Sequence, residues 1–211
     1  MAIAEREVAG FDEIELKGIG SLFVEQGDRE YLHVEAADEV LAAIRTEVVG
    51  TRLVISYDWT SGLLLLGSAS PIDFYVGVKD LKALAVSGSG SVTGHGLVAD
   101  ELSIDISGTA SVDLGVTVNE LMCRVAGSGE FTLSGLAVHQ ELRLSGASSY
   151  QARDLTSRDI DMDIAGAGKA VVRVSHNLDV SVSGAVSVAY IGDPKVSQTI
   201  AGAGKVTMIP S

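Results

Sequence analysis

The sequence predicts an all-β fold, a solenoid of about seven stacked coils of 18–20 residues in residues 81–211, on three observations. First, the template Val86-Ser-Gly-Ser-Gly-Ser-Val92 returns as Ile106–Val112, Val125–Phe131, Leu144–Tyr150, Ile164–Ala170, Val182–Val188 and Ile200–Val206. Its first glycines, Gly88, Gly108, Gly127, Gly146, Gly166, Gly184 and Gly202, stand 20, 19, 19, 20, 18 and 18 residues apart, the steady period of a stacked array. Second, apolar and polar residues alternate around each glycine. The positions two before it are Val86, Ile106, Val125, Leu144, Ile164, Val182 and Ile200, a column that faces one interior. Third, 24 glycines against 3 prolines, with Val, Ile, Leu, Ser and Ala dominant, favour short strands and tight turns over long helices.

Before the repeats, Phe11 to Val24 alternates as a strand, and Leu16-Lys-Gly-Ile-Gly-Ser-Leu22 fits the template, so the array can begin here and be interrupted. Tyr31–Glu35, Leu53–Tyr57 and Ile72–Val76 read as further strands. Val40, Leu41, Ile44 and Val48 fall at helical spacing behind a cap at Asp38, which marks a short helix near 38–48 or a loop-strand excursion. Residues 1–80 are thus an irregular β-rich part of the same domain, followed by the repeats. The run Leu63–Leu66 sits between glycines where a polar hairpin tip is expected; it packs on the domain or offers an apolar contact to another subunit, with a membrane-dipping tip as the remaining reading.

In the repeats, the residues four before each glycine (Leu84, Ile104, Cys123, Leu142, Met162, Val180, Gln198) and four after it (Val92 to Val206) continue the inward columns. The small residues two after it, such as Gly90, Ala110 and Gly129, indicate a tight corner or a close opposite wall.

The opening Glu5-Arg-Glu-Val-Ala-Gly-Phe-Asp-Glu-Ile-Glu-Leu16, the segment Asp80–Val92 and the later Gly-x-Gly repeats resemble a bacterial domain-of-unknown-function family described as putative auto-transporter adhesin, head GIN domain. The likeness spans nearly the whole chain. It implies a right-handed, single-stranded β-helix, an exported or envelope-attached protein (periplasm or cell surface), and no catalytic residues. Met1-Ala-Ile-Ala-Glu-Arg6 lacks the basic, apolar and small-residue succession of an export signal, so a cytoplasmic location is the alternative.

Composition narrows the partners. With 28 acidic and 15 basic residues the net charge is -13, which repels a phosphate backbone and excludes nucleic acid as an expected partner. No apolar run reaches the roughly 18 residues of a membrane span. The one cysteine, Cys123, falls in an inward column and reads as a buried, inert thiol rather than a nucleophile.

No motif supports catalysis. In Ala165-Gly-Ala-Gly-Lys169 and Ala201-Gly-Ala-Gly-Lys205 the glycine and hydroxyl positions of a phosphate loop are wrong. Gly94-His-Gly-Leu-Val-Ala99 precedes strands and no helix, so it is no dinucleotide fingerprint. No Gly-x-Ser-x-Gly elbow occurs, and His33, His95, His139 and His176 share no metal-ligand spacing. Expected catalytic, cofactor-binding and metal sites are therefore none, and no cofactor is expected.

The outward columns are the informative ones. Ser87, Ser107, Ala126, Ser145, Ala165, Ser183 and Ala201 precede the glycines, and Ser89, Thr109, Ser128, Ala147, Ala167, Ala185 and Ala203 follow them, a strip of small side chains. It is either what a solvated wall tolerates or a surface on which another β surface or a partner packs closely. Asp105 beside Arg124, and Arg143 beside Asp163, are expected ion pairs between neighbouring coils. Glu141, Asp161 and Asp179 stack like charges that Arg143 relieves or a calcium ion bridges.

The expected function is a non-catalytic adhesin-like or scaffold module, self-associating into a homo-oligomer, with a protein or glycan partner. The alternative is a β-helix that binds or cleaves polysaccharide with the acidic face near Glu141, Asp161 and Asp179.

Overall fold

Alternation of apolar and polar residues makes nearly the whole chain extended. The computed structural model describes residues 2–58 and 71–210. The strands are β1 (Ala2–Arg6), β2 (Glu13–Gln26), β3 (Tyr31–Ala36), β4 (Ile44–Val49), β5 (Arg52–Tyr57), β6 (Asp73–Val78), β7 (Ala83–Ile191), β8 (Lys195–Gly202) and β9 (Lys205–Met208). The one helix among the described residues, α1 (Asp38–Ala43), buries Val40 and Ala43 and ends where Ile44 turns extended to begin β4. Leu63–Leu66 lie outside the described residues.

Among the described residues all nine strands belong to one sheet of mixed direction. Its first part runs β1-β3-β6-β2-β5-β4. The β1–β3, β3–β6 and β4–β5 pairs are antiparallel, whereas β2 pairs in parallel with β5, β6 and β7. β2 is the junction: residues 13–16 pair with β5, residues 21–26 with β6, and residues 13–24 with the start of β7. The template-like stretch Leu16–Leu22 lies residue for residue on Val86–Val92, with Gly18 against Gly88. Lys82 fixes this start: its backbone N–H donates to Asp12 O at 2.7 Å, and its ammonium donates to the Asp12 carboxylate at 2.6 Å, holding that carboxyl below its usual range.

The architecture corrects the expectation of a right-handed solenoid of seven discrete rungs behind an irregular N-terminal part. Six of the seven repeats lie in one uninterrupted strand of 109 residues, the seventh falls on β8 and β9, and the N-terminal strands are full members of the same sheet, which curls into a nearly closed, barrel-like wall. The physical reason lies in the glycines. Gly108 has φ 126° and Gly127 φ 143°, a region closed to side-chain-bearing residues, so the chain bends there without leaving its hydrogen-bonded ladder, and the turns expected between rungs do not form within β7. At each bend the strand lies against its own earlier course: a Cβ on Gly127 would fall 2.1 Å from the carbonyl oxygen of Gly108.

Inside the wall sits one continuous aliphatic core, in which Leu16, Val86, Ile106, Val125, Leu144, Ile164 and Val182 form a ladder. Each such burial contributes about 1.5–3 kcal/mol as an upper figure. The ladder stops at Ile200, which is 39% exposed, and Gln198 in the next column is exposed too.

Candidate functional site

The glycine bends define a face. Of the small residues flanking them, Ser107, Ala126, Ser145, Ala165, Ser183 and Ala201 on one side are exposed, as are Ser89, Thr109, Ser128, Ala147, Ala167, Ala185 and Ala203 on the other; Ser87 alone is half-buried. Beside the first flank runs an open trough of about 500 Å³, whose lining includes Asp105, Arg124, Arg143 and Asp163. Arg124 Nη1 stands 3.6 Å from Asp105 Oδ1. Arg143 does not turn to Asp163: its Nη2 meets Glu141 Oε1 at 2.5 Å, two residues back on the same face.

Glu141, Asp161 and Asp179 line a neighbouring trough of about 640 Å³ that reaches Ser197 and Thr199 of β8. Arg143 takes Glu141, which relieves part of their repulsion, and His139 Nε2 lies 3.5 Å from Asp161 Oδ2. Among the described residues no three carboxylate, imidazole or thiol groups come together as a metal-binding set. The other histidines are scattered. His33 faces Glu5 at 3.8 Å, His95 lies near Gly115, and His176 Nδ1 meets Asp159 Oδ1 at 3.0 Å, which with Asn177 holds the Asp159 carboxyl below its usual range.

Cys123 is fully buried. Burial, then the nearby charge of Asp105, pushes its thiol up to about 12. It borders a polar cluster inside the core: the Tyr150 hydroxyl donates to Gln140 Oε1 at 2.8 Å, and Gln140 Nε2 donates to Ser157 Oγ. An alkylating reagent at neutral pH is expected to leave Cys123 unmodified in the folded protein and to label it fully in denaturant, as read by intact mass. Between the ordinary thiol value and about 12 the folded state holds the proton that the unfolded state has released. The stability contributed by the neutral thiol is therefore complete below the ordinary value and lost as pH rises. Cys123→Ala is expected to flatten this alkaline loss in melting curves taken across that range.

A second surface lies on the outer side of the N-terminal strands. Pairing sets Phe23, Tyr75, His33 and Glu5 in one row across β2, β6, β3 and β1. Phe23 and Tyr75 stack at 5.0 Å and 15°. In the neighbouring row Glu25, Gly77 and Tyr31 align, and the Tyr31 hydroxyl reaches past Gly77 to donate to Glu25 Oε2 at 2.8 Å. The ring occupies the space a side chain at position 77 would need, since a Cβ there would fall 2.2 Å from both Cδ1 and Cε1 of Tyr31. Glu25, Tyr31, His33 and Tyr75, with Asp28, Arg29 and Glu30 of the β2–β3 connection, line a depression of about 610 Å³. No sequence motif marks this cluster as a site. The available signal was aromatic residues at the polar parity of strands, where an exposed ring wants a reason.

Residues 10–194 match the protein family described as "Putative auto-transporter adhesin, head GIN domain". Among solved structures, an adhesin described as putative from Bacteroides fragilis superposes with a TM-score of 0.91 at 22% identity, covering 99% of this chain and 96% of that one. Two proteins from Parabacteroides distasonis share the fold over 99% of this chain and 96% of theirs. One, a "putative adhesin", has TM-score 0.72 at 20% identity, and the other, a "putative lipid binding protein", has 0.74 at 22%. Among curated proteins no relative matches the chain. With 185 consecutive residues spanned, the chain belongs to the auto-transporter adhesin, head GIN domain family.

Proposed function

We propose that this chain is a non-catalytic binding module of adhesin type, exported to the cell envelope or surface, which associates with copies of itself through the face around the glycine bends. The observation that carries the reading is the exposure of the small residues along both flanks of the bends, from Ser89 to Ala203. Side chains no larger than threonine let a second β surface approach to within backbone distance, and they lose little rotamer entropy when covered. The names of the relatives support the adhesin class, and no helix among the described residues is long and apolar enough to cross a membrane. Polysaccharide cleavage by Glu141, Asp161 and Asp179 has weaker support, because Arg143 and His139 already engage two of the three carboxylates.

The test is sedimentation of the wild type and of Ala167→Arg. The wild type is expected to associate with rising concentration, and Ala167→Arg to weaken that association by about tenfold or more with an unchanged melting temperature. A wild type that stays monomeric, or a variant that associates equally well, would sink self-association through this face. Protease treatment of cells before and after their outer envelope is opened checks the location, with degradation of the chain in one of the two while a cytoplasmic marker stays intact as the expected result.

A further inference from the structure

The outer face of β2, β3 and β6 carries chemistry that self-association leaves unused. Tyr31 is built as a platform. Because Glu25, Gly77 and Tyr31 share one row, a hydroxyl that bonds Glu25 must carry its ring across the glycine strand between them. The Cδ1–Cε1 edge of the ring therefore lies over the backbone of β6, and the His33 ring stands against it, centroids 5.0 Å apart and tilted by 38°, which leaves the half-buried Tyr31 bordering the depression. Gly77 is what permits this, since any side chain there would lift the ring. The bond to Glu25 holds the ring in place, so a ligand meets a surface already ordered. Tyr75, 37% exposed, and His33 extend the aromatic area along the next row.

The polar groups around the ring select the ligand. Glu25 is occupied by Tyr31, and Glu30 accepts from the Gly10 backbone N–H at 2.7 Å. Asp28 and Arg29 line the same depression on the exposed connection, one acceptor and one donor. An ammonium ligand would gain from the ring and the carboxylates but would meet the guanidinium of Arg29, which lines the same depression. A ring bearing several hydroxyls suits both groups, because each hydroxyl donates and accepts while the C–H face of the ring covers the aromatic surface.

We propose that this depression is a saccharide site, in which a neutral pyranose lays one C–H face on Tyr31 while Arg29 donates to, and Asp28 accepts from, its hydroxyls. The site is separate from the glycine-bend face and does not depend on what that face does.

Saturation-transfer NMR and titration calorimetry with the methyl pyranosides of glucose, galactose and mannose, and choline as the cationic comparator, test it. At least one pyranoside is expected to bind and to receive saturation chiefly at the protons of one ring face. Tyr31→Ala is expected to weaken binding by about tenfold or more, while Tyr31→Phe stays within about threefold. Arg29→Ala and Asp28→Ala, on an exposed connection where folding is not at stake, are each expected to lose about fivefold. Ala167→Arg is expected to bind as the wild type does, which separates this site from self-association. Binding of choline alone, binding of no pyranoside, or pyranoside binding untouched by Tyr31→Ala, Arg29→Ala and Asp28→Ala would each overturn the proposal.

Discussion

Gly146→Ala is expected to cost about 3 kcal/mol or more of folding stability, although only one methyl group is added. Two effects act at once. At φ 114° an L side chain is strained, which costs about 1–3 kcal/mol. The new Cβ would also sit 2.1 Å from the carbonyl oxygen of Gly127 and 3.0 Å from its carbonyl carbon. Those are backbone atoms of an adjacent stretch of the same strand, so they yield only if two courses of the wall part. Gly166 in turn is placed against Gly146 O, so a displacement at 146 is passed to the next bend. A domain of ordinary stability, about 5–15 kcal/mol, is left marginal by such a loss. Urea denaturation followed by far-UV circular dichroism measures it. The neighbouring Ala147→Val, on an exposed side chain, should move stability by no more than about 0.5 kcal/mol. Equal midpoints for Gly146→Ala and wild type would contradict the close stacking of the bends.

The glycine period also marks what could be read before any coordinates. Every residue two before a bend from Val86 to Val182 is buried, because period-two alternation with one apolar side has a single physical solution. The same alternation does not say how the chain gets from one course to the next. A glycine with positive φ and a glycine in a turn look alike in sequence, so discrete rungs were expected where one 109-residue strand runs. Nor does alternation reveal direction. β3 and β4 carry the same pattern as β2 but run antiparallel to their partners, and only the short connections around them settle that. The ion pairs were half legible. Arg124 takes Asp105 across the wall, whereas Arg143 prefers Glu141, two residues away and on the same side of the same strand. Tyr31 reads only as the start of a strand, because its place depends on Gly77, 46 residues along the chain and next to it in space.

Gln140→Leu is expected to destabilise the protein by about 2–4 kcal/mol, despite exchanging a buried amide for an apolar group of similar length. Gln140 is fully buried, and its position relative to the bend at Gly146 is held by Leu121 before Gly127 and by Ile160 before Gly166, so the amide interrupts an aliphatic column. It survives there because both ends are satisfied, with Oε1 accepting from Tyr150 and Nε2 donating to Ser157. Leucine removes both partners at once and leaves the Ser157 hydroxyl without its donor and the Tyr150 hydroxyl with only the weak Cys123 thiol beside it. A stranded buried polar group costs about 1–3 kcal/mol, whereas removing all members of a network together is nearly neutral. The triple variant Gln140→Leu/Tyr150→Phe/Ser157→Ala is therefore expected to recover most of the loss, and Tyr150→Phe alone to fall between. Chemical denaturation of the three variants decides it: a triple variant no more stable than Gln140→Leu would mean that packing volume at this layer, and not hydrogen bonding, sets the energy.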